Sequence, residues 1–264
     1  METLGLNTWT KYKNLLAKLS NQAAEEFRDA VWNVNGKWHG AGLGNIPRNE
    51  LIDYAYSLVT KYSDGASTTA CLFYDELAAL SGASVPAAVP AESASIAQVG
   101  KAVNGAIKNS KGNAEVVSST IGRLVKQAGQ DTTLQNALRD GAEFAWIPSG
   151  DTCAFCLGLA SLGWQKASTK NTNGGHAQHI HGNCDCAYAV RFNNSMKYAG
   201  YNPQEYADKF DMWAGHRLPD SDELNAVRRA AYQQNKEKIN AQKRAAYAKR
   251  KELNSSAAEE INVD

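Results

Sequence analysis

Nowhere in the sequence do eighteen or more apolar residues run together, so no segment is built to cross a bilayer as a helix and no membrane partner is expected. Charge of one sign is not in excess either. The 28 Lys and Arg residues are nearly balanced by 27 Asp and Glu, and a net charge of +1 gives the chain as a whole no reason to seek nucleic acid or an anionic surface. The opening residues, Met1–Trp9, lack a basic stretch followed by an apolar one; a secretory signal is not expected, and a chain made in a cytosol is. Proline is scarce, with six residues, and each falls at or between segments read below as helices. Cysteine is scarcer still, with five. In a cytosol disulfides are rare, so clustered cysteines point to metal.

What is present is mostly helical patterning. With 264 residues and 43 % apolar content, the chain can bury a real core as one large domain or two small ones. Leu15, Leu19, Ala23, Phe27 and Val31 recur every four residues, widened by Trp9, Tyr12, Leu16 and Ala30, and predict a helix over 7–33 capped at Asn7 or Thr8. The glycine-rich run 33–47 reads as a long loop, with His39 a surface or packed loop residue. A second helical region spans 48–81, with Ser63–Ser67 (S-D-G-A-S) expected to break it in two. Residues 81–93, small and carrying Pro86 and Pro90, read as a linker or extended strap. Helices over 94–109 and 114–128 follow, then another capped by Asp131 and running through Phe144, with no convincing strand before residue 146.

Beyond Ile147-Pro148-Ser149-Gly150 the character changes. Cys153–Leu162 reads as a short helix ended by Gly163, and Trp164–Ala167 and Ala187–Phe192 as two short strands forming a β-hairpin. Asn202-Pro203 starts a further helix reaching Gly215. A last helix over 221–253 carries nine Lys or Arg against four Asp or Glu, and 254–264 reads as a disordered tail. The expected fold is mainly α, with a small α/β zinc-knuckle module at 150–192. The expected divisions are a helical domain over 1–146, a Cys/His module over 147–195 and C-terminal helices over 196–253.

The chemistry concentrates in Asp151–Phe192, which holds four of the five cysteines and three of the five histidines. D-T-C-A-F-C at 151–156 is a C-x-x-C knuckle whose sulfurs can reach one ion from a single turn; H-A-Q-H-I-H-G-N-C-D-C at 176–186 supplies the other half. Zinc takes four ligands, with thiolate and imidazole the best suited. Five residues compete for the four places: Cys153, Cys156, His181, Cys184 and Cys186. The preferred set is Cys153, Cys156, His181 and Cys186, with Cys184 as the substitute. Asp151 and Asp185 read as partners that orient ligands. Cys71, alone in a helical stretch, reads as a simple buried thiol. A redox C-x-x-C is disfavoured because it would follow a strand and open a long helix, whereas helix is expected before this one. An HNH-like metal-dependent nuclease is an alternative, drawn from His179-Ile180-His181 with Asn183 or Asn193 close by. Against it stand the C-x-C second knuckle and Gln178, where an acid or a second histidine is usual. A zinc-stapled adaptor is a second alternative.

These residues resemble a known family. G-D-T-C-A-F-C at 150–156 followed by H-G-N-C-D-C at 181–186 is similar to the C-x-x-C and H-P-x-C-R-C elements of tailed-phage minor head proteins, the family named after protein F of phage Mu. Gly182 and Asp185 replace its proline and arginine, which leaves the ligand spacing intact and fits a divergent branch from phages and prophages of low-GC Gram-positive bacteria. Y-N-P-Q-E-Y-A-D-K-F-D-M-W-A-G at 201–215 and R-R-A-A-Y-Q-Q-N at 228–235 also look like that branch. The resemblance implies a non-enzymatic minor capsid protein with a structural zinc and no catalytic residues. It would act in head morphogenesis, in the virion and in the host cytoplasm during assembly. It would sit near the portal or the capsid interior, with the portal or the major capsid protein as partners. The basic helix over 221–253 could lie along the phosphates of packaged DNA, a contact insensitive to sequence and sensitive to salt.

Overall fold

The structure, a computed structural model, describes residues 3–4, 6–148, 154–168, 186–198 and 200–214, with Ala226, Ala230 and Lys236 beyond them. The helix expected over 221–253 and the tail 254–264 otherwise lie outside the described residues. The protein is mainly α with a small antiparallel sheet. In chain order come β1 (Thr3–Leu4), α1 (Leu6–Trp32), a short 3-10 turn (Leu43–Asn45), α2 (Arg48–Ser81), α3 (Ile96–Ser110), α4 (Ala114–Asp140), β2 (Glu143–Ile147), α5 (Ala154–Ser161), β3 (Gln165–Lys166), β4 (Ala187–Arg191), β5 (Lys197–Tyr198) and α6 (Pro203–Ala214). One buried cluster gathers side chains from Trp9 in α1 to Phe210 in α6, drawing on helices and sheet alike.

Helix α4 is the spine. Val117, Ile121, Leu124, Val125, Leu134 and Ala137 are buried, and α4 packs on α1, α2 and α3 and on strands β2 and β4. Two glycines set how closely its neighbours approach. A Cβ on Gly122 would lie 2.8 Å from the Ser20 carbonyl oxygen of α1, and one on Gly129 would lie 2.6 Å from Leu16 Cδ2 and 3.1 Å from the Ala66 carbonyl oxygen of α2. Ser20 Oγ closes the first contact by donating to the Gly122 carbonyl at 2.8 Å. The small residues that read as breakers are therefore the packing surface. Ser63, Ala66 and Ser67 of S-D-G-A-S are buried inside one continuous α2.

The same cause joins the two helices expected around 114–144. Q-A-G-Q-D at 127–131 stays helical, and Asp131, expected as a cap, sits mid-helix with its carboxylate accepting from Gln127 Nε2 at 2.7 Å. Genuine caps lie elsewhere, at Asn113 for α4 and in the Ser95–Gln98 capping box for α3. The core stripe of α1 is also rotated from the expected one. Trp9, Tyr12, Leu16, Ala23 and Phe27 are buried, while Leu15 is 47 % exposed.

The segment after α2 is a strap. Its backbone amides at Ala88, Val89 and Ala91 donate to Asp75, Asn136 and Thr132, and Arg139 donates to the carbonyls of Pro86 and Ala87. Pinned in this way, an extended run with two prolines needs no strand partner.

The sheet departs from expectation most. The two expected strands are present, but β3 and β4 do not pair as a hairpin. β2 lies between them, in the order β3-β2-β4, antiparallel to both. Phe144, Ala145, Trp146 and Ile147 are buried on both faces of this central strand, so it shows no alternation and imitates a helix end. Arg191 of β4 pairs with Glu143 of β2 at 2.6 Å and lies 4.6 Å from the Trp164 ring centroid. A second, parallel pair joins β1 to β5.

Replacing Gly122 with Ala gains helix propensity of about 1 kcal/mol but drives a methyl against α1, an overpacking cost of about 1–3 kcal/mol. The expected net effect is a loss of about 0–2 kcal/mol, a melting temperature lower by up to about 8 °C, measured by circular dichroism. A higher value would show that α1 and α4 are not in the contact described.

Candidate metal centre

The β2–β4 ladder decides where the two knuckles go. Its last pair is Ile147 with Ala187, so the chain leaving β2 towards Cys153 and the chain arriving at β4 from Cys184 meet at one end of the sheet. From that end α5 carries Cys156 in its first turn, and Cys186 immediately precedes β4. Both are 1 % exposed, and they are buried together as a pair set apart from the main apolar core. Neither is held in a disulfide. Of the five predicted ligands, the structure thus places one from each knuckle side by side. Cys153, His181 and Cys184 lie outside the described residues, as do Asp151, His176, His179, Asn183 and Asp185.

Two buried soft donors from separate segments fit one zinc ion, with two more places to be filled from Cys153, His181 and Cys184. No group of three or more candidate ligands occurs among the described residues. The close spacing of Cys184 and Cys186 does not rank the first behind His181. Residues two apart on an extended chain share a face, so spacing alone leaves Cys184 and His181 both as candidates.

A strand does precede C-x-x-C, contrary to the reason given against a redox motif. The context nonetheless differs from a redox fold, because α5 has eight residues and all neighbours of β2 are antiparallel. Asn193, one of the nuclease candidates, belongs to a turn. Its Oδ1 accepts from the Ser195 amide, the Ser195 hydroxyl and the Met196 amide, and its Nδ2 reaches the Ser81 carbonyl at 3.4 Å.

One residue that the sequence reading passed over reaches the Cys156–Cys186 pair. Gln130, in the middle of α4 and 1 % exposed, donates from Nε2 to the Cys186 carbonyl oxygen at 2.7 Å. Its signal was present as a glutamine inside an apolar helical face, hidden because Q-A-G-Q-D read as a boundary. The neighbouring Asp131 is also largely buried. Loss of hydration pushes its carboxyl up to about 6, partly offset by the Gln127 hydrogen bond. Burial likewise lowers the Arg123 guanidinium, about two turns earlier on the helix.

Cys71 is half-buried rather than fully so, and burial, with Asp75 adding to it, pushes its thiol above the ordinary range. That makes it a poor nucleophile and fits the simple thiol expected. A cavity of about 510 Å³ opens between the 33–47 loop and the start of α4, lined by Trp32, His39, Leu43, Gly112 and Asn113 among others. It is sixteen residues along α4 from Gln130, about 24 Å, and His39 is its single titratable lining residue.

Comparison with known proteins gives the class first. The family whose model matches most of this chain is one of phage gene products, and the protein is a phage protein. The chain belongs to the VG15 protein family, matched over residues 5–213, a span that includes both knuckles and all but the last residue of α6. No curated protein and no solved structure compared with the chain matches it. Among the described residues no helix is long and apolar enough to cross a membrane.

The buried Asp131 yields a pH test. Its folded value lies above the ordinary 3.8, so the carboxyl destabilises the fold progressively as pH rises through about 6, and not below about 4. Asp131→Asn should therefore stabilise the protein by about 2–3 kcal/mol at pH 8, with the gain vanishing near pH 4. Urea unfolding at the two pH values checks this; equal gains at both would contradict it.

Proposed function

We propose that this phage protein is a minor structural component of the head. It would act near the portal or on the capsid interior during assembly, held together by one structural zinc and without catalysis of its own. The observation that carries the zinc part is the burial of Cys156 against Cys186, one thiol from each half of the motif, at the closed end of the β2–β4 ladder. The head role is supported by membership of a phage family together with the resemblance of 150–156 and 181–186 to minor head proteins.

The chain's own residues explain why such a clasp would be structural. Zinc, when bound, contributes folding free energy by tying its ligands together. Cys156 on α5 and Cys186 at the start of β4 would give two of those ligands, with the rest drawn from Cys153, His181 and Cys184. Tying them would fix α5 onto the sheet and, through the sheet, onto α4. The two described thiols are 1 % exposed, which leaves them no path to a substrate. Contact with the portal or the major capsid protein, and with DNA through the basic stretch 221–253, belongs to the same proposal.

Gradient-purified particles of the encoding phage test it. Mass spectrometry should find the chain in the head fraction, at far fewer copies than the major capsid subunit. A chain abundant in infected-cell extract and missing from heads would contradict the proposal. Purified protein incubated with plasmid and magnesium or zinc should leave the DNA intact. Cleavage abolished by His179→Ala, with folding preserved, would replace this reading by the nuclease one.

A further inference from the structure

Gln130 occupies a position that an apolar residue would fill with less difficulty. It lies in the most buried stretch of α4, and its Oε1 is buried with no hydrogen-bond partner. An orphaned buried acceptor is disfavoured and asks for a reason. Its single hydrogen bond supplies one. A carbonyl oxygen only accepts, so the amide nitrogen must face Cys186, and the orientation with Nε2 donating at 2.7 Å follows from chemistry. That carbonyl belongs to the planar peptide joining Cys186 to Ala187, and Ala187 is already held by its register with Ile147. Holding the carbonyl from α4 therefore limits rotation about the Cys186 backbone and aims its side chain, which is the side chain that meets Cys156.

We propose that Gln130 is a positioning residue for the clasp. Its amide sets the direction of the Cys186 thiol, and this one bond couples metal occupancy to the packing of the helical bundle. The proposal rests on the zinc reading above. Groups that orient metal ligands from outside the coordination sphere typically change affinity by about 10–100-fold when removed. Gln130→Met keeps the length of the side chain and cannot donate.

The test compares the unaltered protein, Gln130→Met and Thr133→Val. The last removes the buried Tyr12–Thr133 hydrogen bond, 2.9 Å, from the same helix without touching the clasp. Zinc affinity is read by competition with a chromophoric chelator, and thiolate geometry from the absorption bands of the cobalt-substituted protein. Gln130→Met should weaken zinc binding about tenfold or more and alter the cobalt bands. Thr133→Val should lower the melting temperature and leave both readouts unchanged. Zinc affinity and cobalt bands unchanged in Gln130→Met, whatever its melting temperature, would overturn the proposal. Should that variant not fold, hydrogen exchange on the unaltered protein decides. Zinc should slow exchange of the α4 amides around Gln130 more than those of α3, and equal effects would overturn it. An unaltered protein that binds no zinc at all would overturn the zinc reading itself, and this proposal with it, before any variant is compared.

Discussion

The pairing of Ile147 with Ala187 at the end of the β2–β4 ladder is the constraint that sets where Cys156 and Cys186 meet. It brings together two segments forty residues apart in sequence and gives Cys156 and Cys186 a common end of the sheet. Without it the thiols would belong to separate loops, and a shared ion would have to bear the whole entropy of closing a long loop. With it, the sheet has already closed the loop, and a metal need only hold what the fold has set in place.

The ladder is held in turn by the bundle. α4 lies against β2 and β4, and its own neighbours come close because Gly122 and Gly129 offer no side chain. Aromatic packing continues the contact on the other side: Phe144, Trp146 and Tyr188 meet edge-on within the sheet, and Tyr74 of α2 meets Phe192 just beyond it. Gln130 is one of the buried polar residues of α4, and its amide donates to the Cys186 carbonyl. The Cys156–Cys186 pair is thus reached from the centre of the fold. This arrangement suits a structural site better than one that must admit a substrate, since the two described thiols are sealed.

The helical character of the chain was legible in its apolar periodicity, and the knuckle residues in their spacing. Cys156 and Cys186, named as ligands from the sequence, are the two that the described structure buries together. What the sequence hid has two physical causes. Small polar residues have one meaning in a loop and another in a tight helix crossing; Ser63, Gly65 and Ser67, and the run 127–131, looked like breaks because local propensity cannot see the helix packed against them. A strand buried on both faces carries no alternation, so β2 merged with the helix before it and the expected hairpin lost its central strand. Gln130 was invisible for a related reason, because its role appears only when the sheet is laid against α4.

A chain closed by a metal held at Cys156 and Cys186 should lose stability and metal together. Protein purified without added metal or chelator should contain one zinc per chain by elemental mass spectrometry. If free zinc stands about a thousandfold above its dissociation constant, removal costs about 4 kcal/mol. In a chain of this size that corresponds to a melting temperature lower by about 10 °C, restored by adding zinc back. A chain that carries no zinc, or whose melting curve is the same before and after complete chelation, would contradict the account.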